Sequence, residues 1–543
     1  MMQIHASDFG IKNQQDITEN FIKLLSYAKT IDGEKIVTFE NGTYYVDSDK
    51  CIKEMLYITN TTGDEEYEKH ERPHLNTVAF YIEDISDLTI DGNNSVFIID
   101  GKVTNIAIIN SQNITIKNLE IRHAHPDMHE IKVVKKSLFS VDFLIDNDSL
   151  YEFKNGKMFF YGKDYRVSAD KDAKFSWWIG LIREETPDKV KRVRHPLASK
   201  LKTKDLGNRK IRVYYPNTSR FKIDDCFYIY DVRRQFAGIF VDKSKNITLQ
   251  NINQRFNYSL AIVAQDSENL IIDSVDFSPE KNGARKICSV ADFIQLCMCR
   301  GKITVKDSYF DGAGDDCLNV HGIHFKITEI IDNKIKVRFM HPQTHGFNPL
   351  RIADEIAFIN PDTMLETGRA KILDSTLLNE QEILLTLDST DKVIVDYVIE
   401  DISACPDMDF INNTATRIIT RGLLITTRGK VNVLNNHFVS TTMSGILLSD
   451  DAKSWYESGM CCDITIENNT FDYCGETPIL INPENKKHSG AVHKNIKIIG
   501  NTFNKYDGEA IYIKSTDNVF IKDNKFLNDN YIVTKDCTQI REF

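Results

Sequence analysis

The chain has 543 residues, 41% of them hydrophobic and 27% charged, an ordinary globular composition with room for one large core and inserted domains. Its net charge of −11 disfavours nucleic acid or an anionic membrane surface as a partner. No apolar run approaches the roughly 20 residues that span a bilayer, so no membrane insertion is expected.

The opening stretch, Met1 to Gly10, lacks the apolar core of a signal peptide. The chain is therefore either cytoplasmic or begins after a removed signal, which would make it secreted or periplasmic. Residues 16–29 predict one helix. Asp16 and Glu19 have capping-box spacing, and Phe21, Leu24, Leu25 and Ala28 form a single apolar stripe. Such a helix can plug the end of a solenoid, whose first coil otherwise exposes its core. A strand at 35–39 and the Asn41-Gly42-Thr43-Tyr44 turn come next, then β-branched segments around Leu88-Thr89-Ile90 and Ile114-Thr115-Ile116.

Seven copies of one short pattern dominate the chain from residue 246 onward. Each opens with Asn, Lys or Asp, continues as a β-branched strand, breaks at polar residues and resumes with an apolar one. They begin at Asn246, Asn269, Lys302, Lys430, Asp463, Asn495 and Asn518. A repeat of 23–33 residues cannot bury its own apolar face, and stacking such units gives a solenoid. The fold expected is all-β: a right-handed parallel β-helix with an N-terminal capping helix. The rhythm breaks at 127–230, which holds Trp177-Trp178 and a basic run from Lys189 to Arg194, and again at 325–412, with strands such as 334–339. Both breaks predict inserted antiparallel, barrel-like β domains. The domain plan is 1–126 (cap and first coils), 127–230 (insertion), 231–324 (central coils), 325–412 (insertion) and 413–543 (last coils). Eleven scattered cysteines, with Cys297, Cys299, Cys461 and Cys462 in or beside strands, read as small apolar groups. A zinc site is the weaker alternative, because no paired CxxC spacing occurs.

Two central segments align with an offset of 24 residues: Asp292-Phe293-Ile294-Gln295-Leu296 over Asp316-Cys317-Leu318-Asn319-Val320. Ile294 and Leu296 then stack on Leu318 and Val320 in the core. Phe293, Gln295, Cys317, Asn319 and His321 face outward by the two-residue period. The same alternation would bury Asp292 and Asp316, at high cost. Each is therefore placed at the bend before its strand and turned to the surface, with Gly312-Ala313-Gly314 supplying backbone freedom. Asp315 joins them on one patch. Three adjacent carboxylates cannot all ionise freely, so one protonated acid and one ionised base coexist near neutrality, which is what glycoside cleavage needs. The alternatives are a turn whose acids cap backbone amides and a calcium site built from Asp311, Asp315 and Asp316.

The opening Asp8-Phe9-Gly10, helix, strand and Gly-Thr-Tyr resembles the start of the pectate-lyase-like β-helix superfamily. Asp292, Gly314-Asp315-Asp316-Cys317 and His321-Gly322 resemble the active-site signature of polygalacturonase-type hydrolases. Over 231–260, 291–322, 341–358, 421–438, 445–452 and 455–457 the chain is similar to glycoside hydrolase family 110. That resemblance implies an inverting, exo-acting α-1,3-galactosidase with barrel insertions on a β-helix, some members acting on the blood-group B determinant. It implies Asp315 as general acid, and Asp292 and Asp316 as the pair that holds and deprotonates the attacking water. The polygalacturonases usually carry Asn-Thr-Asp-Gly where this chain has Ser289-Val290-Ala291-Asp292-Phe293, which turns the reading from pectin towards galactosides.

Further candidates for substrate binding are His321, Arg421, Arg428, Trp455 and Glu457. The histidine is read as a sugar ligand or a modulator of Asp315, the arginines as clamps, and Trp455 as a stacking face. Each also has a purely structural reading. Arg233 and Arg234 carry charge without an assigned role. The expected partner is a galactose-terminated oligosaccharide or glycan; no cofactor or catalytic metal is expected, and a homodimer is left open. Two other functions fit the scaffold: a calcium-dependent polysaccharide lyase, or polygalacturonase-like hydrolase, and a non-catalytic carbohydrate-binding β-helix.

Overall fold

The computed structural model describes residues 1–62, 74–154, 157–168, 179–183, 189–193, 196–197, 202–230, 234–281, 283, 285–527 and 531–543. Two long sheets, of 21 and 13 strands, run the length of the molecule with almost wholly parallel pairing, and they wrap one continuous core. The chain is a parallel β-helix, as the repeat predicts.

Four of the seven copies open on a backbone bend. The asparagines that open four copies, Asn246, Asn269, Asn495 and Asn518, all have φ near +55 to +60°, a conformation asparagine tolerates better than most residues. Two of them link directly to the copy before, Asn269 Nδ2 to Asn246 Oδ1 at 3.0 Å and Asn518 Nδ2 to Asn495 Oδ1 at 2.7 Å. After each bend the alternation sends one set of residues inward: Ile247 and Leu249 stack on Leu270 and Ile272, then on Ile303 and Val305. Inside, phenylalanines 438, 471, 503 and 526 form a column with centroids 5.0–5.3 Å apart. Beside it runs a column of asparagines. Asn436 Nδ2 donates to the Phe410 carbonyl at 2.8 Å, and its backbone N–H donates to Asn469 Oδ1 at 2.9 Å. Asn469, Asn501 and Asn524 continue the ladder, which satisfies backbone groups that each turn would otherwise bury unpaired.

The helix Thr18–Lys29 closes the first coil, with Phe21, Leu24, Leu25 and Ala28 buried in the common core. The expected capping box does not form. Ile17 holds the N-cap position, and Asp16 accepts instead from the Thr18 amide at 3.0 Å and its hydroxyl at 2.6 Å. Cys299, Cys317 and Cys461 pack in the solenoid core and Cys297 beside it, in line with the apolar reading.

In the first interruption, strands from Met128–Lys136 to Cys226–Tyr230 form a seven-stranded antiparallel sheet, with a three-stranded sheet beside it. Trp177, Trp178 and Arg194 lie outside the described residues. In the second, six strands from Phe325–Ile331 to Val398–Asp401 close into an antiparallel barrel around its own core. The solenoid resumes at Asp407–Ile411, which pairs with Arg300–Lys306, so residues 407–412 are coil rather than insertion. Met408 and Phe410 carry the same inward alternation as the other copies, and the barrel simply separates this coil from its predecessor.

Buried and half-buried ion pairs fix the barrel to the solenoid. Arg300 reaches Asp354 at 2.7 Å and Asp401 at 3.1 Å. His324 meets Asp450 at 2.9 Å, and Arg428 meets Glu400 at 2.7 Å and Glu366 at 3.1 Å.

Candidate active site

Strand Ile294–Cys297 pairs in parallel with Leu318–Ile323, Ile294 against Leu318 and Leu296 against Val320, the offset of 24 expected. The next coil adds Leu423–Thr426, with Leu318 against Leu423. Asp292, Asp316 and Arg421 thus stand before three neighbouring strands. Their backbones are tied across: Phe293 N–H donates to the Asp316 carbonyl at 3.0 Å, and Cys317 N–H to the Arg421 carbonyl at 3.1 Å.

The aspartates face the cleft because the residue after each one faces the core. Phe293 and Cys317, expected outside by strict alternation, are fully buried among Ile294, Leu296 and Leu318. The bend before each strand breaks the two-residue period, so Phe293 and Cys317 go into the core while Asp292 and Asp316 turn to the cleft, where they are buried at 4% and 2% exposure rather than set on the open surface as expected. Gly314 permits the approach of the coils, since a Cβ there would stand 2.1 Å from the Val290 carbonyl oxygen.

The cleft has a volume of about 260 Å³, and its lining includes Asp292, Asp315, Asp316, Arg234, Thr420, Arg421, Trp455 and Glu457. Asp316 Oδ1 accepts from the Arg421 backbone N–H at 3.0 Å, from Arg421 Nε at 2.9 Å and from the Thr420 hydroxyl. Asp292 Oδ1 accepts from the Asp316 N–H at 3.2 Å. Asp315 lies 3.0 Å from the Thr420 hydroxyl and 3.9 Å from an Arg234 nitrogen, and its side chain keeps 28% exposure. Glu457 accepts from Asn319 Nδ2 at 3.0 Å. Trp455 is 41% exposed, with His341 from the barrel side stacked against it at 4.3 Å.

Burial pushes the Asp292 carboxyl well above the usual carboxylate range. The charges of Asp315 and Asp316 push it the same way, against a smaller pull from Arg234 and Arg421. Burial also raises Asp316, but there Arg421 and the Thr420 hydroxyl favour the charged form. A carboxyl raised by folding costs no stability below its unfolded value near 3.8; the cost grows as pH rises above that value and levels off above the folded one. Asp292→Asn is therefore expected to melt above the parent protein at pH 7–8, with the gain shrinking as pH falls towards 4. Thermal scans across that range check it, and an Asn variant that melts lower at every pH would contradict the burial of this acid.

The other expected site residues divide. Arg421, Trp455 and Glu457 line the cleft. His321 does not. It is buried behind Glu457, 3.8 Å away, with Nδ1 donating to the Gly322 carbonyl at 2.7 Å and Nε2 2.5 Å from the Gln295 amide. This is the geometry of a positioning imidazole rather than a sugar ligand. Arg428 is also elsewhere, committed to Glu400 and Glu366 of the barrel. Asp311 pairs with Arg417 and lines a different surface hollow, so it does not join Asp315 and Asp316 in a calcium site. Sequence reasoning missed Thr420, which the alignment of coils at 292, 316 and 421 would have placed one residue before Arg421. It left Arg234 without a role, because an arginine pair just after an insertion carries no periodic signal.

The family "GLAA-B beta-barrel domain II" matches residues 334–390, and "Right handed beta helix region" matches residues 365–526. Alpha-1,3-galactosidase A of Bacteroides thetaiotaomicron is 34% identical over 517 residues, 93% of this chain and 88% of that protein. Alpha-1,3-galactosidase A of Bacteroides fragilis (strain ATCC 25285) is 31% identical over 91% of this chain and 82% of its own length. Alpha-1,3-galactosidase B of Bacteroides thetaiotaomicron is 28% identical over 97% and 86%.

Proposed function

The chain belongs to the α-1,3-galactosidase family, a family of glycoside hydrolases, and on that premise we propose that it removes terminal α-1,3-linked galactose from oligosaccharides or glycans with inversion at the anomeric carbon. The observation that carries this reading is the convergence of Asp292, Asp315 and Asp316 on one cleft wall with two guanidinium groups among them.

In this reading Asp315, the exposed member, is the general acid. The Thr420 hydroxyl has one proton to give. Its oxygen stands within hydrogen-bond reach of both Asp315 and Asp316 and ties the two carboxyl groups side by side. Asp316 is the base, its charged form favoured by Arg421 against the upward push of burial, and it takes the proton of the attacking water. Asp292, whose carboxyl is pushed up by burial and by its two acidic neighbours, holds its own proton and orients that water. Arg234 and Arg421 offset the charge of the cluster, and Trp455 offers its face to the apolar side of the sugar ring.

A panel of α-linked galactosides tests the substrate: linear α-1,3, the branched fucosylated trisaccharide, α-1,4 and α-1,6. Free galactose is expected from α-1,3-linked members alone. Release from the α-1,4 or α-1,6 compounds, with none from the α-1,3 ones, would refute the assignment.

A further inference from the structure

We propose that His74, His345 and Glu380 form a structural site for a tetrahedral divalent transition-metal ion of zinc's class, separate from the catalytic cleft. The two imidazole Nε2 atoms face each other at 3.3 Å. Two nitrogens bound at about 2.0–2.1 Å to one tetrahedral zinc ion stand about 3.3 Å apart. A Glu380 carboxylate oxygen completes a set of three donor atoms that lie within 4.8 Å of one another. Two histidines and a glutamate are a donor set zinc takes, with a fourth position left for water. Calcium and magnesium prefer all-oxygen shells, so the nitrogens speak against them.

The surroundings are built for ligation. Tyr57 donates its hydroxyl to Glu380 Oε1 at 2.7 Å, the outer-shell bond that orients a ligating carboxylate, and its ring lies 3.8 Å from that of His74. Both histidines are buried, at 6% and 1% exposure, while Glu380 opens to solvent and provides the entry side. The ligands come from remote parts of the chain, His74 from the early coils and His345 and Glu380 from the barrel insertion.

That placement gives the ion a task. The 57–60 and 343–344 segments already touch, Asn60 N–H donating to the Gln343 carbonyl at 2.9 Å and the Thr59 and Thr344 hydroxyls meeting at 3.1 Å. Gln343 also accepts from Arg234 at 2.9 Å, and His341 supports Trp455. A metal at His74, His345 and Glu380 would staple the barrel loop that positions both cleft residues.

Zinc titration of the chelator-stripped full chain, followed by calorimetry and by melting temperature, tests this. The expected result is one zinc per chain and a higher melting temperature in zinc. In the exposed variant Glu380→Gln and in His345→Ala the affinity should fall by at least about 10-fold, the lower bound for loss of even an outer-shell partner. Cobalt(II) should give the visible bands of a tetrahedral site in the parent and lose them in Glu380→Gln. The proposal is overturned if the parent takes up no stoichiometric zinc, or if Glu380→Gln binds it as tightly as the parent.

Discussion

Asp315→Asn is expected to lower kcat on an α-1,3-linked disaccharide by about 10²–10⁴-fold, the usual contribution of a positioned general acid. The loss should shrink on an aryl galactoside whose leaving group departs without protonation, because that substrate does not need the acid. Of the cluster, Asp315 alone reaches well into the open cleft, with 28% of its side chain exposed, whereas the Asp316 side chain keeps 2% and is bound by Arg421 and Thr420. A folded Asp315→Asn protein with near-normal turnover would place the acid elsewhere. An equal loss on both substrates would mean that the residue shapes the site rather than donating a proton.

Arg428→Ala is expected to cost about 3–5 kcal/mol of stability, the effect of leaving a buried partner charge uncompensated. Glu400 is 1% exposed, and both of its oxygens are held by Arg428, at 3.0 and 2.7 Å. Burial opposes the charge on this guanidinium, but Glu400 and Glu366 raise its pKa overall, so it stays charged. Because Arg428 fastens the barrel to the solenoid and does not line the cleft, the folded fraction should keep the parental KM. Thermal melts read the first effect and initial rates on the folded protein the second. An unchanged melting temperature with a raised KM would return Arg428 to the substrate-binding residues.

The solenoid was legible because its signal is periodic. The alternation around Ile247, Leu270, Ile303, Val431 and Ile464 repeats wherever a coil must bury the same two positions. The copy at 407 escaped because the barrel separates it from its neighbour at 302, though Met408 and Phe410 keep the pattern. The aspartates were legible for the same reason as the coils: Asp292 and Asp316 precede strands aligned 24 residues apart. Their surroundings were less so. Phe293 and Cys317 were expected outside because strict alternation does not see the bend at which two successive residues change sides. His321 keeps strand parity, yet the hairpin-like pairing of Gly322–Ile323 with Glu457–Ser458 covers it. Arg234, just after the first insertion, and His341 and Gln343, within the second, reach the cleft or its supports from loops, and loops carry no period to read.

The most direct test is proton NMR of the sugar released during the first turnovers, before mutarotation. With Asp315 protonating the leaving oxygen and Asp316 activating water from the opposite face of the ring, β-galactose should appear first and the α-anomer should come later, at the mutarotation rate. If α-galactose is the first product, the sugar has been displaced twice, and the division of labour among Asp292, Asp315 and Asp316 is wrong.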